Sequence, residues 1–188
     1  TWTPLAGGRP FLTSKVGGGL MRDPCLCQGP DGRFHLTWTT GWWDRGIGIA
    51  HSADLVRWSE PAHLPVMEHD PDARNAWAPE IVWDRKGGRF LIFWASTIPG
   101  RFPETDAGGD AGDGGVRLNH RMYFTTTTDF RAYTPSTLFY DGGFNVIDAT
   151  LVDDGRRWRM IVKDETREPV AKKHLRVVEG DGPTGPWK

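Results

Sequence analysis

Met21-Arg22-Asp23-Pro24-Cys25-Leu26-Cys27-Gln28-Gly29-Pro30-Asp31-Gly32-Arg33-Phe34-His35-Leu36-Thr37-Trp38 reads as a short strand, a turn and a second strand. Gln28 to Gly32 is turn chemistry, and from Phe34 to Thr40 large apolar and polar side chains alternate at period two. The same phrase is written twice more. Trp77-Ala78-Pro79-Glu80 leads to Gly87-Gly88-Arg89-Phe90-Leu91-Ile92-Phe93-Trp94, and Ile147-Asp148-Ala149-Thr150 leads to Asp154-Gly155-Arg156-Arg157-Trp158-Arg159-Met160-Ile161-Val162. Each copy closes on an aromatic after a polar segment, at Trp58, Tyr133 and Trp187.

Self-similarity at a period of roughly 55 to 70 residues, with strand and turn signals inside each unit, marks an array of β-propeller blades. In the first unit, Gly46 to Ser52 supplies a third strand and Leu55 to Trp58 is expected to turn into the outer one, which completes the four strands a blade needs. The predicted fold is therefore all-β, a single partial propeller over residues 1–188. Its blades are expected at about 20–60, 77–135 and 145–188. With 24 Gly and 14 Pro scattered along the chain, no window keeps a helical apolar stripe.

The 188 residues are 38% hydrophobic, with ten Trp and nine Phe, ample for a packed core. Basic and acidic side chains nearly cancel, 23 against 24, so no basic field exists to hold nucleic acid or an anionic membrane. A small neutral partner fits better, and no apolar run reaches the 18 or so residues of a membrane span. Cys25 and Cys27 sit two apart on an extended segment, point the same way and are expected to pack as small apolar groups. Thr105 to Gly115 is glycine- and aspartate-rich and reads as a mobile surface loop, since its aspartates lack the spacing of a calcium loop.

The first strand of each blade lines a propeller's central channel, so residues at corresponding positions converge although they are far apart in sequence. Asp23, Glu80 and Asp148 are thus candidates for one funnel. Carboxylates that face each other among aromatic rings suit acid–base work on a sugar, because each alters the other's proton affinity. An acidic residue at a strand start also caps turns, and spacing by itself leaves both readings open.

Met21-Arg22-Asp23-Pro24, Ile49-Ala50-His51-Ser52-Ala53-Asp54-Leu55-Val56-Arg57-Trp58, Trp77-Ala78-Pro79-Glu80 and Val146-Ile147-Asp148-Ala149-Thr150, in that order, resemble family 43 glycoside hydrolases. The resemblance runs from about residue 20 to the C-terminus. It implies a five-bladed propeller and inverting hydrolysis of arabinofuranosyl, xylosyl or related units of plant polysaccharides. It assigns Asp23 as general base and Asp148 as the residue that orients the acid and raises its pKa. It also places Trp77 in the wall of the sugar pocket; Trp42 and Trp43, in the loop after the second strand, either add a platform at the funnel mouth or pack as edge aromatics. Glu80 is kept as a pocket residue, although its place after a proline reads more as holding the inner strand of its blade. The general acid of the family is a glutamate opening the fourth blade, and no glutamate here matches it. The chain is accordingly expected to be a truncated propeller of about three blades, weakly active or inactive alone, whose open edges associate into a homo-oligomer. A non-catalytic carbohydrate-binding or self-assembling fragment is the competing reading. A family 32 fructan hydrolase fits less well, since Arg22 stands where an Asn-Asp-Pro motif needs asparagine. No cofactor is expected; some relatives carry a cation at the channel centre, but no ligand set in this sequence marks one. An extracellular setting suits polysaccharide work, though no signal peptide is recognisable.

Overall fold

The computed structural model describes residues 1–108, 110–111 and 117–188. Three antiparallel sheets follow one another along the chain. The first runs β1 (Arg22–Gln28), β2 (Phe34–Thr39), β3 (Ile47–Ser52) and β4 (Ala62–Leu64) in sequence order. The second contains β5 (Trp77–Asp84) and β6 (Arg89–Thr97), then, after the short hairpin β7 (Asp110–Ala111) and β8 (Arg117–Leu118), β9 (His120–Thr127) and β10 (Thr137–Tyr140). The third is β11 (Val146–Asp153), β12 (Trp158–Asp164) and β13 (His174–Gly180). These are three blades of a β-propeller, and three blades do not close a ring.

Strand β6 shows why the blades stack. Its side chains alternate, so Phe90, Ile92 and Trp94 enter the apolar cluster shared with blade one, while Leu91, Phe93 and Ala95 enter the cluster shared with blade three. All six are buried, which is why this strand reads as a continuous apolar run and not as an alternating one. Each large side chain contributes about 1.5–3 kcal/mol by leaving water. Truncating the fully buried Trp94 to alanine would cost about 3–5 kcal/mol.

The turn after the third strand is built twice from the same chemistry. Ser52 Oγ accepts the N–H groups of Asp54 and Leu55, and Asp54 Oδ1 accepts those of Val56 and Arg57. In blade two, Thr127 Oγ1 accepts from Asp129 and Phe130, and Asp129 Oδ1 from Arg131 and Ala132. Leu55 to Arg57 form this turn and not the outer strand expected from the sequence, because their amides are bonded to side chains; Trp58 makes only an isolated antiparallel bridge with Ser52. The outer strands β4 and β10 begin a few residues later, beyond the blade limits at 60 and 135. Blade three shows three strands. Beyond it, Glu179 and Lys188 exchange two backbone hydrogen bonds of 2.8 and 2.9 Å, where His51 meets Ser59 and Thr126 meets Thr134 in the other blades.

The loop expected at 105–115 falls partly outside the described residues; Pro103–Gly108, which overlaps its start, forms a 3-10 turn. Cys25 and Cys27 are free thiols packed against the core, as their spacing implied, and burial pushes Cys25 up to about 11. Among the described residues no helix is long and apolar enough to cross a membrane.

Candidate active site

Each inner strand begins with the same irregularity. The register of β1 on β2 shifts between Arg22 and Cys25, that of β5 on β6 between Trp77 and Glu80, and that of β11 on β12 between Ile147 and Thr150. At the centre of each bulge stands a non-glycine residue in the left-handed region: Asp23 at φ 50°, Ala78 at 46° and Asp148 at 52°. Such a backbone costs about 1–3 kcal/mol and persists only where the surroundings enforce it. The bulge re-aims the side chain at that position, and in two blades of three that side chain is a carboxylate.

Asp23, Glu80 and Asp148 line one cleft of about 290 Å³, together with Pro24, Cys25, Ala78 and Pro79. The sequence-predicted carboxylates are therefore brought together. They are not equivalent, however. Pairing with the second strands matches Glu80 to Cys25 and Thr150, one step below the layer of Asp23 and Asp148. Burial pushes the Glu80 carboxyl up; a hydrogen bond with Thr150 opposes this and the neighbouring Asp148 charge adds to it. Asp23 and Asp148 are exposed to solvent.

Second-strand side chains hold both aspartates. Thr39 Oγ1 donates to Asp23 Oδ2 at 2.9 Å and accepts the Ala78 N–H at 2.8 Å, tying blade one to the bulge of blade two. At the corresponding place in blade three, Lys163 Nζ lies 3.3 Å from Asp148 Oδ2 and 3.0 Å from Glu165 Oε2. Neither Thr39 nor Lys163 was singled out from sequence. Superposing the three repeats would have found them, since each pairs with the residue that immediately precedes its bulge.

The three predicted tryptophans form one wall. Trp77 Nε1 donates to the Trp42 carbonyl at 2.8 Å, and its ring meets Trp42 edge-on at 5.8 Å and Trp43 at 6.1 Å. Trp42 and Trp43 remain half exposed, and the Arg22 guanidinium lies 3.9 Å from the centre of the Trp42 ring. Behind Trp77 sits the buried His120, 4.9 Å away ring to ring. Asn75 accepts the Thr97 N–H on Oδ1, so its Nδ2 donates to His120 Nε2 at 3.0 Å. The other ring nitrogen of His120, Nδ1, faces Asn145 Oδ1 at 3.2 Å. A broad open groove of about 730 Å³ borders Trp42 and Trp43, with Asp44 receiving N–H groups of Gly18 and Gly46. Aromatic faces beside grouped carboxylates can bind the apolar face of a sugar while the oxygens hold its hydroxyls or a water.

A family model described as a probable glycosyl hydrolase domain, related to family 43, matches residues 1–181. The chain belongs to this glycosyl hydrolase family. An alpha-L-arabinofuranosidase of Bifidobacterium longum subsp. longum is 24% identical over 189 residues, a match that takes in 88% of this chain and 17% of that protein. The crystal structure of alpha-L-arabinofuranosidase from Lactobacillus brevis superposes with a TM-score of 0.63 at 18% identity, over 87% of this chain and 50% of that one. A thermostable family-43 glycoside hydrolase superposes at 0.60 with 15% identity, over 90% and 51%. These structures establish the propeller fold, and the chain spans about half of their length.

Three other glutamates of the chain, Glu165, Glu168 and Glu179, are held in ion pairs. Glu179 pairs with Arg157 and Arg159, both at 3.0 Å, and Glu168 with Arg117 at 3.4 Å. Glu165 is buried among Lys163, Arg167 and Lys173. None of the three lines the cleft.

Proposed function

We propose that the cleft is the base side of a glycosidase active site acting on arabinofuranosyl, xylosyl or related units of plant polysaccharides. The observation that carries this reading is the pair of aspartates at matching left-handed bulges on one cleft, beside the wall formed by Trp77, Trp42 and Trp43. Asp23 is the general base: the Thr39 hydroxyl fixes one carboxylate oxygen and leaves the other to take a proton from the attacking water. Asp148 orients the acid and raises its pKa, and Glu80 lies beneath as a pocket residue. An inverting mechanism needs a second carboxyl group to protonate the leaving oxygen, and no residue of these three blades is assigned to that part. The chain alone is then weakly active at best, and active first on substrates whose leaving group needs little protonation.

A panel of nitrophenyl arabinofuranosides, xylosides and galactosides, run with the Asp23→Asn variant, tests this. Hydrolysis that disappears in the variant supports Asp23 as base. Saturable sugar binding that is indifferent to Asp23→Asn and accompanied by no hydrolysis favours a non-catalytic carbohydrate-binding role instead. That second reading gains weight from Glu165, Glu168 and Glu179, all held in ion pairs away from the cleft.

The same reading includes self-association. On the face of blade three turned away from blade two, Val152, Leu175 and Val177 are exposed. Two copies covering these faces would remove that apolar surface from water.

A further inference from the structure

At the opposite end of the seam between blades one and two lies a second cavity, of about 280 Å³, lined by residues that the cleft does not use. Its wall holds His35 and His51, whose Nδ1 atoms are 2.7 Å apart. One ring must donate and the other accept, so the pair shares a single proton at this contact. His35 is buried, stacks on Phe130 at 4.3 Å, and its Nε2 has no hydrogen-bond partner. Gly29 leaves that nitrogen room, since a side chain there would stand 2.9 Å from it.

The propeller does not require this pair. Strand register places His35 at the position of Leu91 in blade two, and His51 at that of Thr126. In the next seam Leu91 belongs to a wholly apolar cluster. Two imidazoles have been put where the fold works with a leucine and a threonine, and they stand at the edge of a cavity.

The remaining lining indicates what the cavity would take. Trp83 and Phe130 offer half-buried ring faces. Asp31 and Asp129 each spend Oδ1 on turn amides, and neither Oδ2 has a hydrogen bond among the described residues. Exposed Arg33 beside them brings guanidinium donors. The two carboxylates disfavour an anion and the guanidinium disfavours a simple cation. Acceptors, donors and aromatic faces around a space of this size suit a neutral polyhydroxylated ring. We propose that this cavity is a second carbohydrate site, which holds one pentose or hexose unit of a glycan at the end of the blades remote from the cleft.

The test is a titration of the ¹⁵N-labelled chain with xylobiose, arabinobiose and galactobiose, following the indole resonances, with Trp83 assigned through Trp83→Phe. At least one sugar should shift Trp83 saturably. The shift should persist in Trp77→Ala, and weaken about tenfold in Arg33→Met, the loss of one charged hydrogen bond. His35→Leu with His51→Thr, copying blade two, should abolish it. A Trp83 signal that no sugar moves, or that moves equally in Arg33→Met, overturns the second site. Loss of the Trp77 response while that of Trp83 persists counts only against the reading of the cleft.

Discussion

Asp23 and Asp148 occupy the same bulged, left-handed position in blades one and three, and each is held by the second-strand residue that pairs with its preceding neighbour. The holding groups differ in kind, a hydroxyl from Thr39 and an ammonium from Lys163. Two carboxylates of one cleft are thus treated differently by otherwise matching frames, as a division of labour between base and orienting group requires.

Thr39→Val should cost about 1–3 kcal/mol in urea unfolding, because it removes a hydrogen bond to a carboxylate and strands the Ala78 amide. A loss below about 0.5 kcal/mol would mean that water replaces the hydroxyl on both sides.

Ala78 occupies the third bulge with no carboxylate to justify its φ of 46°. Ala78→Gly relieves that conformation and should stabilise the chain by up to about 1 kcal/mol, after allowing for the freer unfolded state. A clear drop in the thermal midpoint would show that the alanine methyl packs usefully enough to outweigh the strain.

Much of this layout was legible in the sequence. The repeats of strand, glycine turn and aromatic strand announced a propeller, and the three acidic residues singled out near inner-strand starts line one cleft. What could not be read was the phase within each strand. Glu80 looked like the blade-two counterpart of Asp23, but a two-residue bulge makes Ala78 the counterpart and drops Glu80 one layer lower. A bulge changes which face every later residue occupies, and nothing in Trp77-Ala78-Pro79-Glu80 announces its position. Leu55 to Trp58 misled for a related reason: Ser52 and Asp54 captured amides that a strand would have offered to its neighbour.

Burial holds His35 down to about 4, with His51 and Arg33 lowering it further and Asp31 opposing; His51 is lowered too, by burial first. An unfolded histidine binds its proton near 6.5, so the unfolded chain takes up protons first as the medium is acidified. The stability due to the neutral pair is full above about pH 6.5 and should fall, by on the order of 2 kcal/mol, as the pH drops from there towards 4. His35→Leu with His51→Thr should flatten this part of the urea-midpoint profile. An unchanged slope would place the acid sensitivity in other groups.

Leu175→Lys with Val177→Lys puts two charges on the open face of blade three. If copies of the chain cover that face, light scattering should show the mass of the unsubstituted chain to exceed one protomer and the variant to fall to a monomer. Equal masses would remove this face as the contact.

The central claim is that Asp23 activates water in the cleft. Hydrolysis of dinitrophenyl arabinofuranoside and xyloside tests it most directly, because their leaving groups depart with little protonation. Slow turnover of at least one substrate by the chain, reduced about 100-fold or more in Asp23→Asn, is the predicted result. Turnover of equal rate in the variant would contradict it.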